Sequence, residues 1–323
     1  MARVAIVIVT HNSAAEIGGC LDALADVADV EIVVVDNASS DGTPDLVRQR
    51  GVRLIESGRN AGFAAAVNTG VRATTAPFIL LLNPDAHLVS GLDILLARFE
   101  QPGAGVAGGL LTGIDGRPQS GFMARNLPTP ATLIFEVLGI NRLWPGNPVN
   151  WHYRCKANDF LLSANSSSVT LSATRVEQPA GAFLMFPRAV WSQLGGFDER
   201  FWPIWFEDVD FCARARQAGL EGWFEPRAVA KHTGGHSIRA LSLEKREQYW
   251  YGSLLEYAAK HYHPVTFRAI CLAVAAGALF RMPGVGARQG RKAIAVYGDV
   301  VGLALSRFFR SRKTSAGNGA GRV

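Results

Sequence analysis

Four carboxylates and one histidine stand where this chain could do chemistry. Asp85 closes Asn83-Pro84-Asp85, directly behind the apolar run 78–82, and Asp36 closes a second apolar run, 31–35. Glu207-Asp208 follows the aromatics Phe201, Trp202, Trp205 and Phe206, and His232 follows the apolar triplet 228–230. A carboxylate at a strand end can accept a hydrogen bond from the ring N–H of a base, which suits Asp36. Asp85 suits a divalent cation, with His232 as a further ligand. A hard cation held by one or two protein groups and completed by substrate phosphates is the usual Mg2+ or Mn2+ arrangement, and it would neutralise a departing diphosphate. Each feature also has a plain structural reading. Asn-Pro-Asp is turn chemistry, acids at a helix start are favoured by the helix dipole alone, and a lone histidine is usually structural. Against the plain reading, an acidic pair behind four aromatic faces is an odd way merely to cap a helix.

The elements that would position these residues follow from periodicity. Residues 78–82, entered from Pro77 and stopped by Pro84, are too short a run for a buried helix and fit a strand covered on both faces. Residues 4–9, 31–35 and 52–55 read as three earlier strands. The intervening helices are expected from a Ser13/Glu16 capping box to about 25, over 45–50, and from Phe63 to about 74. Strand alternating with helix at this spacing predicts an α/β fold with a wound, mostly parallel sheet, and ligands of such sheets sit at the carboxyl ends of the strands. Further on, a helix is expected near 90–99, strands near 106–111 and 180–186, and a helix over 207–217. Residues 112–178, rich in Pro, Gly, Asn and Ser, read as an insertion covering one side of the site, with a mobile loop at 165–168.

Composition narrows the classes. With 48% apolar residues over 323 positions, most of the chain must fold. The four cysteines are far apart and form no Cys-x-x-Cys pair, which argues against zinc ribbons, redox motifs and a disulfide framework and favours a reducing cytoplasm. The apolar start is too short for a signal peptide. Residues 264–323 hold ten Lys or Arg against Asp299, a charge of +9; the whole chain carries +6, so residues 1–263 carry −3. A slightly acidic body with a basic, apolar appendage suggests anionic lipid rather than nucleic acid. Gly103 to Gly108 has the spacing of a dinucleotide fingerprint, but it leaves a helix and enters a strand, the reverse of what that motif requires. The P-loop, zinc-protease and serine-hydrolase signatures are absent from the sequence.

Several stretches, in unbroken order over roughly residues 3–240, carry a resemblance. Val-Thr-His-Asn at 9–12, Asp-Asn-Ala-Ser-Ser-Asp-Gly-Thr at 36–43, Asn-Ala-Gly-Phe-Ala-Ala-Ala-Val-Asn at 60–68, Asn-Pro-Asp at 83–85, Gly-Gly-Phe-Asp-Glu at 195–199 and Phe-Glu-Asp-Val-Asp at 206–210 resemble the family 2 inverting glycosyltransferases. Within that family the pattern is most similar to bacterial rhamnosyltransferases of cell-wall and O-antigen glycan assembly. The resemblance implies a GT-A fold over 1–240; beyond it, composition and charge suggest a helical, basic extension over 241–310 that would associate with a membrane, and a flexible tail over 311–323. The resemblance also implies a donor site built from Thr10, Asn12, Asp36, Asn37, Ser39, Asn60, Gly62, Phe63, Asn68 and Asn83. Asp85 matches the last acid of the family's Asp-x-Asp metal motif; Asn83 replaces the first, which raises the interest of His232. Asp208, paired with Glu207, matches the general base, and Trp202 and Trp205 would stack on the acceptor.

The implied substrates are a nucleotide-diphosphate sugar, dTDP-rhamnose first, and a glycan or polyprenyl-diphosphate-linked acceptor met on the cytoplasmic face of the inner membrane. Alternatives are another hexose from a UDP- or GDP-sugar, a sugar-nucleotide nucleotidyltransferase, and a non-catalytic membrane-associated binding protein. The nucleotidyltransferase would need a Gly-rich loop with a basic residue after the first strand, where Thr10-His11-Asn12-Ser13 stands instead. In the tail, twelve apolar or small residues at 269–280 would span roughly 18 Å, too short to cross a membrane. Residues 288–310 read as an interfacial amphipathic helix, or as one of a helical pair packed on the catalytic domain or on a second subunit in a homodimer.

Overall fold

The structure, a computed structural model, describes residues 2–155, 172–234 and 241–309. The expected loop at 165–168 and the tail at 311–323 lie outside the described residues. Strands β1 (Val4–Thr10), β2 (Val30–Asp36), β3 (Arg53–Glu56) and β4 (Phe78–Leu82) form where the apolar runs stand, and they pair in parallel in the order β3-β2-β1-β4. Helices α1 (Ile17–Asp22), α2 (Thr43–Gln49) and α3 (Phe63–Arg72) connect them. The expected capping box is not made. Helix α1 starts at Ile17, and Ser13 instead accepts from the His11 amide and donates its own amide to Thr43 Oγ1. Helix α3 lies close on the sheet because Gly70 has no side chain; a Cβ there would come within 2.5 Å of Val7 Cγ1.

Beyond β4 the sheet becomes mixed. The Asn83-Pro84-Asp85 turn leads into a strand the periodicity did not mark, β5 (Ala86–Ser90), and then into α4 (Leu92–Leu96), which is shorter than the helix expected over 90–99. Strand β6 (Ala104–Thr112) is followed by the two-residue β7 (Ala124–Arg125), helices α5 (Pro130–Val137), α6 (Ile140–Leu143) and α7 (Pro148–Tyr153), then the short β8 (Thr174–Val176) and β9 (Gln178–Pro179). Next come β10 (Phe183–Pro187), α8 (Arg188–Gln193), α9 (Glu207–Gln217) and β11 (Glu221–His232). Strand β10 runs antiparallel to both β4 and β6, and β11 runs parallel to β6 and antiparallel to β5. The β11–β5 register pairs His232 with Ala86, the residue after Asp85. That pairing brings a histidine 147 positions along the chain to the end of β4. One apolar core fills each face of the sheet.

A third core joins α5 to the helices α10 (Leu243–His261), α11 (Pro264–Gln289) and α12 (Arg291–Phe309). Gly277 allows α11 to lie against the Val137 carbonyl, and Arg281 donates to the carbonyls of Val137 and Glu136. Two expectations change here. The apolar run 269–280 is the middle of a 26-residue helix, long and apolar enough to cross a membrane, so exclusion on length no longer holds. Its residues Ile270, Cys271, Val274 and Ala278 are buried against neighbouring helices, while Leu272, Leu279 and Phe280 are exposed. In α12 the stripe Ala293, Val296, Tyr297, Val300 and Ala304 faces inward. Most of the apolar face expected to lie on lipid is therefore packed on the protein.

Candidate active site

The strand ends and the loops behind them build one cleft of about 240 Å3. The donor-site candidates Asn37, Asn60, Phe63 and Asn83 and the metal candidate Asp85 line it, together with His11, Pro203, Ile204, Lys245 and Tyr249. Lys245 and Tyr249 stand one turn apart on α10, a spacing that places both on one helix face. Thr10, Asn12, Asp36, Ser39 and Gly62 form the layer behind the wall. Asp36 is 2% exposed; Oδ1 accepts from Thr10 Oγ1 at 2.8 Å and Ser39 Oγ at 2.6 Å, and Oδ2 accepts from the Ser39 amide at 2.8 Å. Two lone pairs per oxygen leave Asp36 a single acceptor direction, on Oδ2. Asn12 holds the loop by accepting from the Ser40 amide and donating its own amide to Ser39 Oγ, both at 2.8 Å. Asn37 and Asn60 bond each other at 3.0 Å and take the amides of Ala61 and Gly62.

Asn68 does not belong to this cleft. Its Nδ2 donates to the Phe197 carbonyl and Glu199 Oε1, and its Oδ1 accepts from the Phe197 amide and Trp191 Nε1. All four hydrogen-bonding positions of the amide are thereby used within the chain. Asn68 ties α3 to the Gly195–Glu199 turn and is a structural residue.

At the end of β4, Asp85 Oδ1 lies 3.4 Å from His232 Nε2, and Asp85 Oδ2 accepts from the Gly234 amide at 3.1 Å. Burial opposes the Asp85 carboxylate, yet the contact with His232 and the Gly234 amide outweigh it and hold Asp85 below the usual carboxylate range. Gln119, which the sequence did not mark, fixes the imidazole. Its Nε2 donates to the His232 carbonyl at 2.7 Å, so its Oε1, 2.9 Å from Nδ1, is the acceptor and Nδ1 carries the proton. Phe122 stacks on the ring at 5.4 Å. Nε2 and Asp85 Oδ1 are left to share a proton or a cation. A second-row partner that sets the tautomer in this way is characteristic of metal-binding histidines. Among the described residues no third His, Cys, Asp or Glu joins them, so a cation here would take its remaining ligands from substrate oxygens and water.

The acidic pair lies across a partition. Pro203 and Ile204 face the cleft just described, whereas Trp205 and Phe206 face a second cavity, of about 300 Å3, which contains Asp208. The Phe63 amide donates to the Pro203 carbonyl, and Ser253 Oγ donates to the Ile204 carbonyl, so the partition is fastened on both sides. Trp205 and Phe206 have φ of 78° and 69°, consecutive left-handed residues that cost of order 1–3 kcal/mol each and persist only where the surroundings hold them. The two tryptophans part company here. Trp205 lines the Asp208 cavity, but Trp202, 50% exposed, packs over Asn60 and Gly62 on the first cleft's side.

Asp208 Oδ2 accepts from the Gly181 amide at 3.0 Å and from Gln178 Nε2 at 3.4 Å. Gln178 is 3% exposed, and its Oε1 has no hydrogen-bond partner among the described residues. Behind it, Asp210 receives Arg214, Lys260 and His261 at 2.6–2.8 Å and pins α9 to α10. Glu207 does not share the cavity. It is 5% exposed with Oε2 unpartnered among the described residues, and burial, with the Asp208 charge adding to it, pushes its carboxyl well above the usual range. Burial disfavours the ionised form of Glu207, whereas Asp208 lines the cavity, so of the pair Asp208 is the candidate base.

The raised Glu207 pKa has a measurable consequence. The folded state binds this proton more tightly than the unfolded chain, so stability is fully present below about pH 4.5 and declines above it, by ~1.4 kcal/mol per pH unit until the folded pKa is reached. Glu207→Gln removes the titration. Its melting temperature, relative to that of the natural protein, is expected to rise as the pH is raised above about 4.5; a difference independent of pH would show that the Glu207 carboxyl is not shifted upward in the fold.

Comparison with known proteins decides the family. The model described as glycosyl transferase family 2 matches residues 5–159, and one described as the N-terminal domain of galactosyltransferase matches 165–236. The N-acetylglucosaminyl-diphospho-decaprenol L-rhamnosyltransferase of Mycobacterium tuberculosis is 33% identical over 224 residues, 64% of this chain and 68% of that protein. This chain belongs to the family 2 glycosyltransferases. A low-salt glycan biosynthesis hexosyltransferase of Haloferax volcanii is 25% identical over 67% of this glycosyltransferase and 62% of its own length. Among solved structures, S. aureus TarS 1–349 in complex with UDP-GlcNAc superposes with a TM-score of 0.54 at 16% identity, covering 95% of this chain and 82% of its own. The mannosyltransferase of Pyrobaculum calidifontis in complex with GDP-Man and Mn2+ gives 0.52 at 19% identity, covering 94% and 80%. Those likenesses establish the GT-A fold. The enzyme is a glycosyltransferase that uses a sugar-nucleotide donor.

Proposed function

We propose that this glycosyltransferase moves rhamnose from dTDP-rhamnose to a sugar carried on a polyprenyl diphosphate, with inversion at the transferred carbon. The observation that carries the reading is the partition, with Asp85 lining one cavity, His232 Nε2 3.4 Å behind it, and Asp208 lining the other. The 33% identity to a rhamnosyltransferase of a diphospho-decaprenol acceptor supports the sugar and the acceptor class. In this reading the nucleoside lies against Asn37, Asn60 and Phe63, with Asp36 behind them, and Lys245 faces the donor diphosphate. Asp85 and His232 hold Mg2+ or Mn2+, which when bound neutralises the charge that develops on the leaving diphosphate.

Asp208 accepts the proton of the acceptor hydroxyl. The Gly181 amide and Gln178 orient its carboxylate, and Trp205 offers a ring face to the acceptor. Attack from the Asp208 side meets the anomeric carbon on the face opposite the diphosphate, a single displacement without a covalent intermediate. The test is transfer to a prenyl-diphosphate-linked N-acetylglucosamine with Mn2+, comparing dTDP-rhamnose, UDP-N-acetylglucosamine and GDP-mannose. Faster transfer from either of the other donors overturns the choice of rhamnose, and donor binding without turnover on any of them overturns the catalytic reading.

The same proposal puts the enzyme on the cytoplasmic face of a membrane, through the exposed Leu143, Trp144, Leu279 and Phe280 and the basic residues beside them. Flotation with anionic vesicles is expected to carry the full chain, and to fall severalfold for Trp144→Glu/Phe280→Glu. Equal flotation of the two would remove the membrane contact.

A further inference from the structure

The Asp208 cavity holds two cations that neither the base nor the acceptor sugar explains. Arg125 and Arg154 meet across Gly121. The Nε of Arg125 donates to the Gly121 carbonyl at 2.7 Å, and a Cβ on Gly121 would touch the Arg154 stem at 3.2–3.4 Å. Arg125 is held between the rings of Phe122 and Tyr153, 5.5 and 5.6 Å from their centroids, and also donates to the Tyr153 hydroxyl at 3.3 Å. Arg154 is set by Nε donating to Asn150 Oδ1 at 3.0 Å. Neither guanidinium forms an ion pair with a carboxylate among the described residues. Among the described residues Glu136 is the one acid lining the cavity besides Asp208, and it takes the Asn141 side chain at 2.8 Å instead.

Two guanidinium side chains lining one cavity favour an anion there. Their planar forks match phosphate oxygens, and the ring faces and backbone contacts hold them ready rather than leaving them free. An independent observation points to a ligand in the same cavity. The Oε1 of Gln178 is buried there without a partner beside the Asp208 carboxylate, an acceptor that a sugar hydroxyl would satisfy.

We propose that Arg125 and Arg154 form a diphosphate subsite, which holds the phosphates of a lipid-linked acceptor while its sugar reaches Gln178 and Asp208. This rests on the reading of the Asp208 cavity as the acceptor site. It assigns selectivity for a phosphorylated acceptor over a neutral glycoside to these two side chains.

The test is equilibrium binding of farnesyl diphosphate and of farnesol to the full chain, in EDTA so that no cation holds a diphosphate in the donor cleft. The natural protein is expected to bind farnesyl diphosphate at least tenfold more tightly than farnesol. Arg125→Gln and Arg154→Gln should each remove most of that preference while leaving farnesol binding and, in Mn2+, donor binding unchanged. The proposal is overturned if farnesyl diphosphate binds no better than farnesol, if both variants keep the natural preference, or if they weaken both ligands equally. No sugar is transferred in this assay, so a wrong donor or a wrong acceptor sugar leaves its outcome unaffected. Arginine-dependent binding without any turnover would instead count against the proposed reaction and leave the subsite standing.

Discussion

Asp85→Asn is expected to lower kcat/KM for the donor about a thousandfold in Mn2+, with little change in the melting temperature. The carboxylate is one of two side chains that converge on the proposed cation, and Lewis-acid stabilisation of a departing diphosphate is worth several kcal/mol. His232→Ala should be milder, about ten- to a hundredfold, because water can occupy the vacated position. Gln119→Ala should resemble it more weakly, since the imidazole remains but loses the acceptor that fixes its tautomer. Mn2+ affinity, measured by calorimetry in the presence of nucleoside diphosphate, separates this account from a structural one. It should fall in the order Asp85→Asn, His232→Ala, Gln119→Ala; three unchanged affinities would place the cation elsewhere.

Asp208→Asn is expected to reduce kcat by about a thousandfold while donor affinity stays within roughly twofold. General-base catalysis contributes ~10^2 to 10^4 in rate, and the amide keeps the shape of the side chain while losing the ability to take a proton. Donor binding should be spared because Asp208 lines the neighbouring cavity and is not among the residues that line the donor cleft. Gln178→Ala should raise KM for the acceptor more than it lowers kcat, since it touches the base without being one. Turnover of Asp208→Asn at the natural rate would assign the base to another group.

What the chain revealed in advance, and what it hid, follows from how local each feature is. The run 78–82 is a strand with the expected bounds because its apolar residues are buried on both faces and prolines stop it at each end. Asp36, Asp85 and Asp208 were visible because each stands at or beside the end of an element. The antiparallel direction of β10, a strand expected near 180–186, and the short β5 were not, since a buried strand reads the same in either direction and Ala86–Ser90 is half turn, half edge. Gln119 and Arg125 sit in a stretch with poor periodicity, and only the fold sets them beside His232 and Asp208. Lys245 and Tyr249 had a signal, their four-residue spacing on a helix, but nothing in the sequence aims that helix at the cleft. Asn68 misled for the opposite reason: it ends a recognisable stretch, yet its amide is saturated by the 191–199 segment. The apolar run 269–280 misled because the arginines that bound it in sequence, Arg268 and Arg281, are interior residues of α11.

The central claim is a single displacement, with the leaving diphosphate on one side of the partition and Asp208 on the other. Proton NMR of the first product formed, before any equilibration, tests it most directly. The account predicts an anomeric configuration opposite to that of the donor. A retained configuration would contradict it, because retention requires either a covalent intermediate or attack from the diphosphate's own side.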